Sequence, residues 1–175
     1  MRYSTILLAG TCFLFLVACE STPVETSPPV TTMTTIFLVR HAEKDTISKN
    51  PDLSEAGRAR AQALQKMLEH VALDAIYSTD FKRTMQTAEP VALQHQLKID
   101  KYDPTELPAF LQQLRLKHPG EKVLIVGHSN TTPALLNLIS NSGDYSTFPE
   151  YEYDGLYIAQ EAGTVFEIIH LKYGN

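Results

Sequence analysis

Beyond position 19 this sequence has no cysteine, because both of its cysteines, Cys12 and Cys19, stand in the first nineteen residues. No disulfide can therefore staple the body of the chain; the absence is compatible with an oxidising compartment but does not point to one. Positive charge is also in short supply. Fifteen Lys and Arg against twenty Asp and Glu leave a formal charge of −5, which argues against a nucleic-acid-binding surface and confines any basic cluster to one place. The apolar run near the start, Ile6 to Ala18, has thirteen residues, short of the ~20 that a membrane-spanning helix needs. No internal repeat is visible. With 175 residues, 43% hydrophobic and 20% charged, the chain has the composition of one ordinary globular domain.

The amino-terminal segment does not belong to that domain. Arg2 precedes the apolar run, and Leu16-Val17-Ala18-Cys19 resembles a lipobox, in which the chain is cut before a cysteine that then carries lipid. Residues 1–18 thus read as a lipoprotein signal peptide, and Cys19 as the site of a membrane anchor. This predicts a protein of the cell envelope facing the periplasm or exterior. Residues 19–34 are rich in Ser, Thr and Pro with almost nothing to bury, which predicts a disordered tether. The domain is expected over 35–175.

From Thr35 onward, apolar runs of strand length alternate with amphipathic helical patterns, the signature of an α/β fold with a mostly parallel central sheet and helices on both faces. Ile36-Phe37-Leu38-Val39 and Val123-Leu124-Ile125-Val126 read as central strands covered on both sides. Ala75-Ile76-Tyr77 is a third, and two late strands are expected near Leu156–Ala159 and Thr164–His170. A helix capped by Ser54 runs to about Val71 with Ala61, Leu64, Met67 and Leu68 on its apolar stripe. A second spans about Asp80 to Gln96 and should kink or split at Pro90. A third covers Leu107–Lys117, and a fourth covers Pro133–Ser140 with Thr132 as cap.

Three segments share one topology, a strand end followed by a loop and a helix: Val39-Arg40-His41, Tyr77-Ser78 leading to Arg83, and Gly127-His128-Ser129-Asn130. Ligands of open α/β sheets sit at the carboxyl ends of strands, so two arginines and two histidines converge on one crevice. That set suits a phosphate. The planar guanidinium fork matches phosphate oxygens in pairs, and the helix starts after Ser78 and Asn130 add backbone donors. A neutral imidazole is a competent nucleophile that can form a phosphohistidine, and on chemistry alone either His41 or His128 could be it. The other histidines, His70, His95, His118 and His170, read as structural surface residues.

Leu38-Val39-Arg40-His41-Ala42-Glu43 resembles the Arg-His-Gly signature of the histidine phosphatase superfamily, the phosphoglycerate mutase-like family. Leu53-Ser54-Glu55-Ala56-Gly57, Ser78 through Arg83-Thr84-Met85-Gln86-Thr87-Ala88, and Gly127-His128-Ser129 resemble its three further motifs in order and spacing, over about Thr35 to Ala159. The resemblance implies that His41 is the phosphorylated nucleophile. Arg40 and Arg83 become phosphate clamps, His128 a hydrogen-bond donor to the phosphoryl oxygens, and Ser129 a substrate contact. It implies a metal-independent phosphatase without a cofactor. Two features depart from the family: Ala42 stands where glycine is usual, and a chain without tryptophan lacks the Trp-Glu-Gly trailer of the usual acid segment. Glu106 and Glu43 are the candidates for proton donor. A weak acid position points toward phosphoramidates or acidic leaving groups.

A metal site built on His41, Glu43 and His128 would place Arg40 and Arg83 beside a divalent cation, which disfavours a metallohydrolase. A compact chain without insertions favours hydrolysis over a mutase, and suggests a pocket open to phosphorylated small molecules, envelope glycans or phosphoproteins. The alternative is a phospho-ligand binding or sensor lipoprotein of the same fold.

Overall fold

The apolar runs become strands. A computed structural model describes residues 32–45, 48–163 and 165–174. The signal-peptide segment, Cys19 and all but the last three residues of the expected tether lie outside these. In chain order the elements are β1 (Thr34–Arg40), α1 (Glu55–Met67), β2 (Ala75–Ser78), α2 (Lys82–His95), β3 (Ile99–Lys101), α3 (Leu107–Lys117), β4 (Lys122–Gly127), α4 (Thr131–Ser140), β5 (Gly155–Ala162) and β6 (Val165–Lys172). The six strands form one sheet in the order β3-β2-β4-β1-β5-β6. The first four in that order are parallel, and β5 and β6 join antiparallel.

Side chains of a strand alternate between faces, so each central run feeds two cores. Ile36, Leu38, Val123 and Ile125 pack with Phe110 and Leu114 of α3 and Leu135 and Leu136 of α4. Phe37, Val39, Leu124 and Val126 pack on the opposite face with Leu64 of α1 and Val91 of α2. Burial on both faces is why β1 and β4 carry no polar alternation. Their register also sets the site, because Arg40 lies level with Gly127 and Ser78 with Val126. The carboxyl ends of β1, β2 and β4 thus finish side by side.

Several sequence expectations shift. β1 includes Thr34, the last residue of the expected tether, which is buried and whose hydroxyl donates to the His118 carbonyl while accepting from Gly120 N. The edge strand β3 went unread because three residues, two half-exposed and one exposed, carry no period. α2 runs through Pro90 without a break; Ala88, Val91 and Ala92 around it are buried against the sheet, which outweighs one missing N–H. α4 begins two residues before the expected Pro133, with Asn130 at its cap position in place of Thr132. α1 stops at Met67, which is 44% exposed and off the buried stripe. His118 is not a surface residue: it is 5% exposed, with its ring between Tyr77 OH at 2.9 Å and Glu121 Oε2 at 2.6 Å.

One glycine is dictated by space. Ser54 caps α1 by accepting from Gly57 N at 3.0 Å, and Ser54 N donates to the Glu43 carbonyl at 2.9 Å. This clamps the start of α1 onto the loop after His41, and a Cβ on Gly57 would lie 2.1 Å from Glu43 O. Gly57→Ala is therefore expected to lower stability by about 1–3 kcal/mol, as overpacking does. Urea unfolding measures it, and an unchanged midpoint would mean the loop has slack to give.

Candidate active site

His41 N donates to Gly127 O at 2.9 Å, carrying the β1–β4 pairing one residue past the strand and holding the His41 backbone at the crevice. Ala42 is fully buried, and its N–H donates at 2.9 Å to Thr87 Oγ1, which donates in turn to the Arg83 carbonyl. The loop of His41 is thereby tied to the helix that carries Arg83. Ala42 is not among the residues with positive φ, so its Cβ fits where the family usually has glycine.

Hydrogen bonding assigns the tautomers. His41 Nδ1 lies 2.7 Å from the Ala42 carbonyl, which can only accept, so Nδ1 carries the proton and Nε2 keeps its lone pair. His128 Nδ1 faces Arg83 Nη2 at 3.2 Å, and a guanidinium can only donate. The His128 proton is then on Nε2, directed at Thr79 Oγ1 2.8 Å away, whose own hydroxyl can pass to Thr84 Oγ1 at 3.0 Å. The two imidazoles meet edge-on with centroids 5.5 Å apart.

Both rings are buried and both are held neutral. Burial pushes His41 down to about 3, with Arg83, His128 and Arg40 adding to the effect and the Ala42 carbonyl opposing it. Burial, then Arg83 and Arg40, push His128 down to about 4. Neutrality leaves Nε2 of His41 nucleophilic across the ordinary pH range.

Around the rings is a cavity of about 380 Å³ lined by Arg40, His41, Arg83, His128, Ser129 and, beyond the residues read from sequence, Lys44. Phe81, which also lines it, lies against Arg83 with 4.6 Å from guanidinium carbon to ring centroid. The backbone at the start of α4, Asn130 and Thr131, borders the same space. A larger cavity of about 500 Å³ opens beside β3 but contains neither imidazole. Among the described residues, no three His, Cys, Asp or Glu side chains cluster as a metal site requires.

Neither candidate proton donor reaches the crevice. Glu43 is engaged by Arg60, with contacts of 2.8–3.1 Å from Nη2 and Nε, and so fastens the loop to α1. Glu106 is exposed at the cap position of α3 and lines the cavity beside β3. The carboxylate that does line the crevice is Glu150. Sequence reading missed it and Tyr153 because no motif marks the loop before β5, and it passed over Thr79 inside the Ser78–Arg83 stretch. Lys44 was legible in principle, three residues beyond His41.

The parallel strands of this mixed sheet bring two imidazoles and two guanidinium groups together at their carboxyl ends, an arrangement that suits a phosphoryl group. Residues 36–104 match the histidine phosphatase superfamily (branch 1). Phosphoserine phosphatase 1 of Hydrogenobacter thermophilus is 38% identical over 78 residues, 41% of this chain and 37% of that protein. The match thus spans little more than a third of that relative's length. Bacillus stearothermophilus YhfR superposes with a TM-score of 0.67 at 22% identity, covering 77% of this chain and 95% of that one. The protein histidine phosphatase SixA, complexed with tungstate, superposes at 0.63 with 17% identity, covering 79% and 96%. These neighbours show the phosphoglycerate mutase-like fold, and the superfamily match extends over residues 36–104.

The lowered histidines link stability to pH. An unfolded histidine takes up its proton near 6.5, whereas the folded rings resist until about 3 and about 4. Below 6.5 the unfolded state binds more protons, so this contribution is fully present above 6.5 and is lost progressively as pH falls toward the folded values. His41→Asn removes one of the two titrations and should give a shallower fall in melting temperature between pH 6.5 and 4 than the wild type. Parallel curves would show that His41 is not held neutral by the fold.

Proposed function

We propose that this chain is a phosphatase that needs no metal and works through a phosphohistidine on His41. The observation that carries this reading is the tautomer of His41: its Nδ1–H is spent on the Ala42 carbonyl, so the free lone pair on Nε2 belongs to a ring lining a crevice with two guanidinium groups and a second imidazole. Nε2 attacks phosphorus, the bond from phosphorus to the leaving oxygen or nitrogen breaks, and its electron pair departs with the leaving group, which takes a proton. Water then attacks the phosphohistidine, the P–N bond breaks, and inorganic phosphate leaves with His41 neutral again. Arg40 and Arg83 balance the charge of the transferring group.

Nδ1 of His128 accepts from Arg83, so its role as donor begins when a phosphoryl group binds. A bound phosphate dianion draws Arg83 to itself, offsets the two arginines that depress His128, and favours a proton on Nδ1 directed at a phosphoryl oxygen. With neither Glu43 nor Glu106 at the crevice, leaving groups that need little help fit best: aryl phosphates, phosphoramidates and other acidic groups. Of two similar proteins, one is named a protein histidine phosphatase, whose phosphoramidate falls in this range, and the other a phosphoserine phosphatase, whose alkyl phosphate needs more help. We assign the substrate accordingly to phosphomonoesters or phosphoramidates, carried on a small molecule, an envelope glycan or a phosphoprotein.

A generic aryl phosphate should be hydrolysed in the presence of chelator, and rapid acid-free quenching with labelled substrate should find label on His41. His41→Ala should show neither turnover nor label, whereas His128→Ala should label slowly, ~10²–10³ below the wild type. Label on His128, turnover by His41→Ala, or activity that disappears in chelator and returns with a divalent ion would reject the reading.

The lipobox supports a second element of the proposal, an envelope lipoprotein tethered through lipid on Cys19. Cys19→Ser should leave the protein uncleaved or soluble. A normally processed variant that sediments with membranes as the wild type does would exclude the anchor.

A further inference from the structure

The chemistry above leaves one anion at the crevice unused. Glu150, in the loop between α4 and β5, places Oε2 3.0 Å from Arg40 Nη2 and Oε1 2.7 Å from Lys44 Nζ. The members of this cluster differ in their freedom. Arg40 is 3% exposed: its Nη1 donates to the carbonyls of Pro149, Glu150 and Glu152 at 2.7, 3.3 and 2.8 Å, and the Tyr153 ring covers its guanidinium at 4.1 Å. The Glu150 side chain is 69% exposed. Arg40 is fixed, and the carboxylate is the part that can swing into water.

The pairing is also incomplete. Nε and Nη2 present their N–H groups along one edge of a guanidinium, the edge that takes an oxyanion two oxygens at a time. Glu150 fills the Nη2 position with one oxygen and spends the other on Lys44, and Arg40 Nε remains buried with no partner. An unpaired buried N–H on a cation is a standing penalty. A phosphoryl group has three terminal oxygens, enough to serve Nε, Nη2 and Lys44 together.

We propose that Glu150 is a tethered stand-in anion and Lys44 a third cation of the phosphate pocket, so that a phosphoryl group binds by displacing the carboxylate from both. This rests on reading the crevice as a phosphate site, and it deepens that reading into a basis for selectivity. A ligand has to outcompete a singly charged group already in place. Phosphomonoester dianions do so, whereas diesters, with one charge and two terminal oxygens, gain little over the carboxylate.

The test is calorimetric titration of the full chain with inorganic phosphate, which does not require turnover. Glu150→Gln should bind phosphate on the order of tenfold more tightly than the wild type, and Lys44→Met more weakly. Asp144→Asn, which removes one exposed charge from the same loop, should match the wild type. Equal or weaker binding by Glu150→Gln, the same gain in Asp144→Asn, or no phosphate binding by either protein would overturn the proposal. So would a fall in kcat on aryl phosphate without tighter phosphate binding, which would assign Glu150 to proton transfer instead. If the affinities shift as expected while no variant hydrolyses aryl phosphate, the displaceable carboxylate stands and the phosphatase reading fails.

Discussion

A buried guanidinium must be paired, and Arg40 is almost wholly buried at the end of the central strand. Moving such a cation out of water carries a penalty of several kcal/mol unless hydrogen bonds and counter-charge return it. Three carbonyls of the loop before β5, the face of Tyr153 and the carboxylate of Glu150 do so here. The loop therefore takes its shape from Arg40 as much as Arg40 takes its position from the loop. That loop leads directly into β5, the antiparallel neighbour of β1, so the same contact fastens the antiparallel part of the sheet to the crevice.

The remaining electrostatics follow from this fixed charge. With Arg40, Arg83 and Lys44 all at the crevice, each protonated imidazole would add a further positive charge beside them. Burial is the larger reason that both histidines are held neutral, and the two arginines add to it. Once the rings are neutral, their hydrogen bonds select tautomers. The Ala42 carbonyl leaves His41 with a lone pair on Nε2, and Arg83 with Thr79 orients His128. A site built this way is short of negative charge, which is why a carboxylate from an otherwise unmarked loop lies at its mouth.

Support for His41 extends into the flanking helices. Gly57 lets the start of α1 press against the Glu43 carbonyl, and Arg60 of α1 holds the Glu43 side chain. Thr87 of α2 receives the Ala42 N–H and connects it to the Arg83 carbonyl. The motif glycine, threonine and alanine positions are thus spacers and connectors for two residues, His41 and Arg83.

Sequence alone determined the strands that are buried on both faces, the residues that end them and the helices that follow, because these depend on short-range pattern: unbroken apolar runs, a Ser cap, a Gly spacing. From them came Arg40, His41, Arg83 and His128, all at one edge of the sheet. Tertiary structure decided what pattern cannot carry. It turned Glu43 toward Arg60 and left Glu106 on another cavity, since which carboxylate faces a crevice depends on how loops close over it. It buried His118 in a network with Tyr77 and Glu121, and it kept α2 intact across Pro90 through packing on the sheet. Glu150 is more than a hundred residues from Arg40 in sequence and lies in no motif, so only the folding of one chain end against the other could bring that carboxylate to its cation.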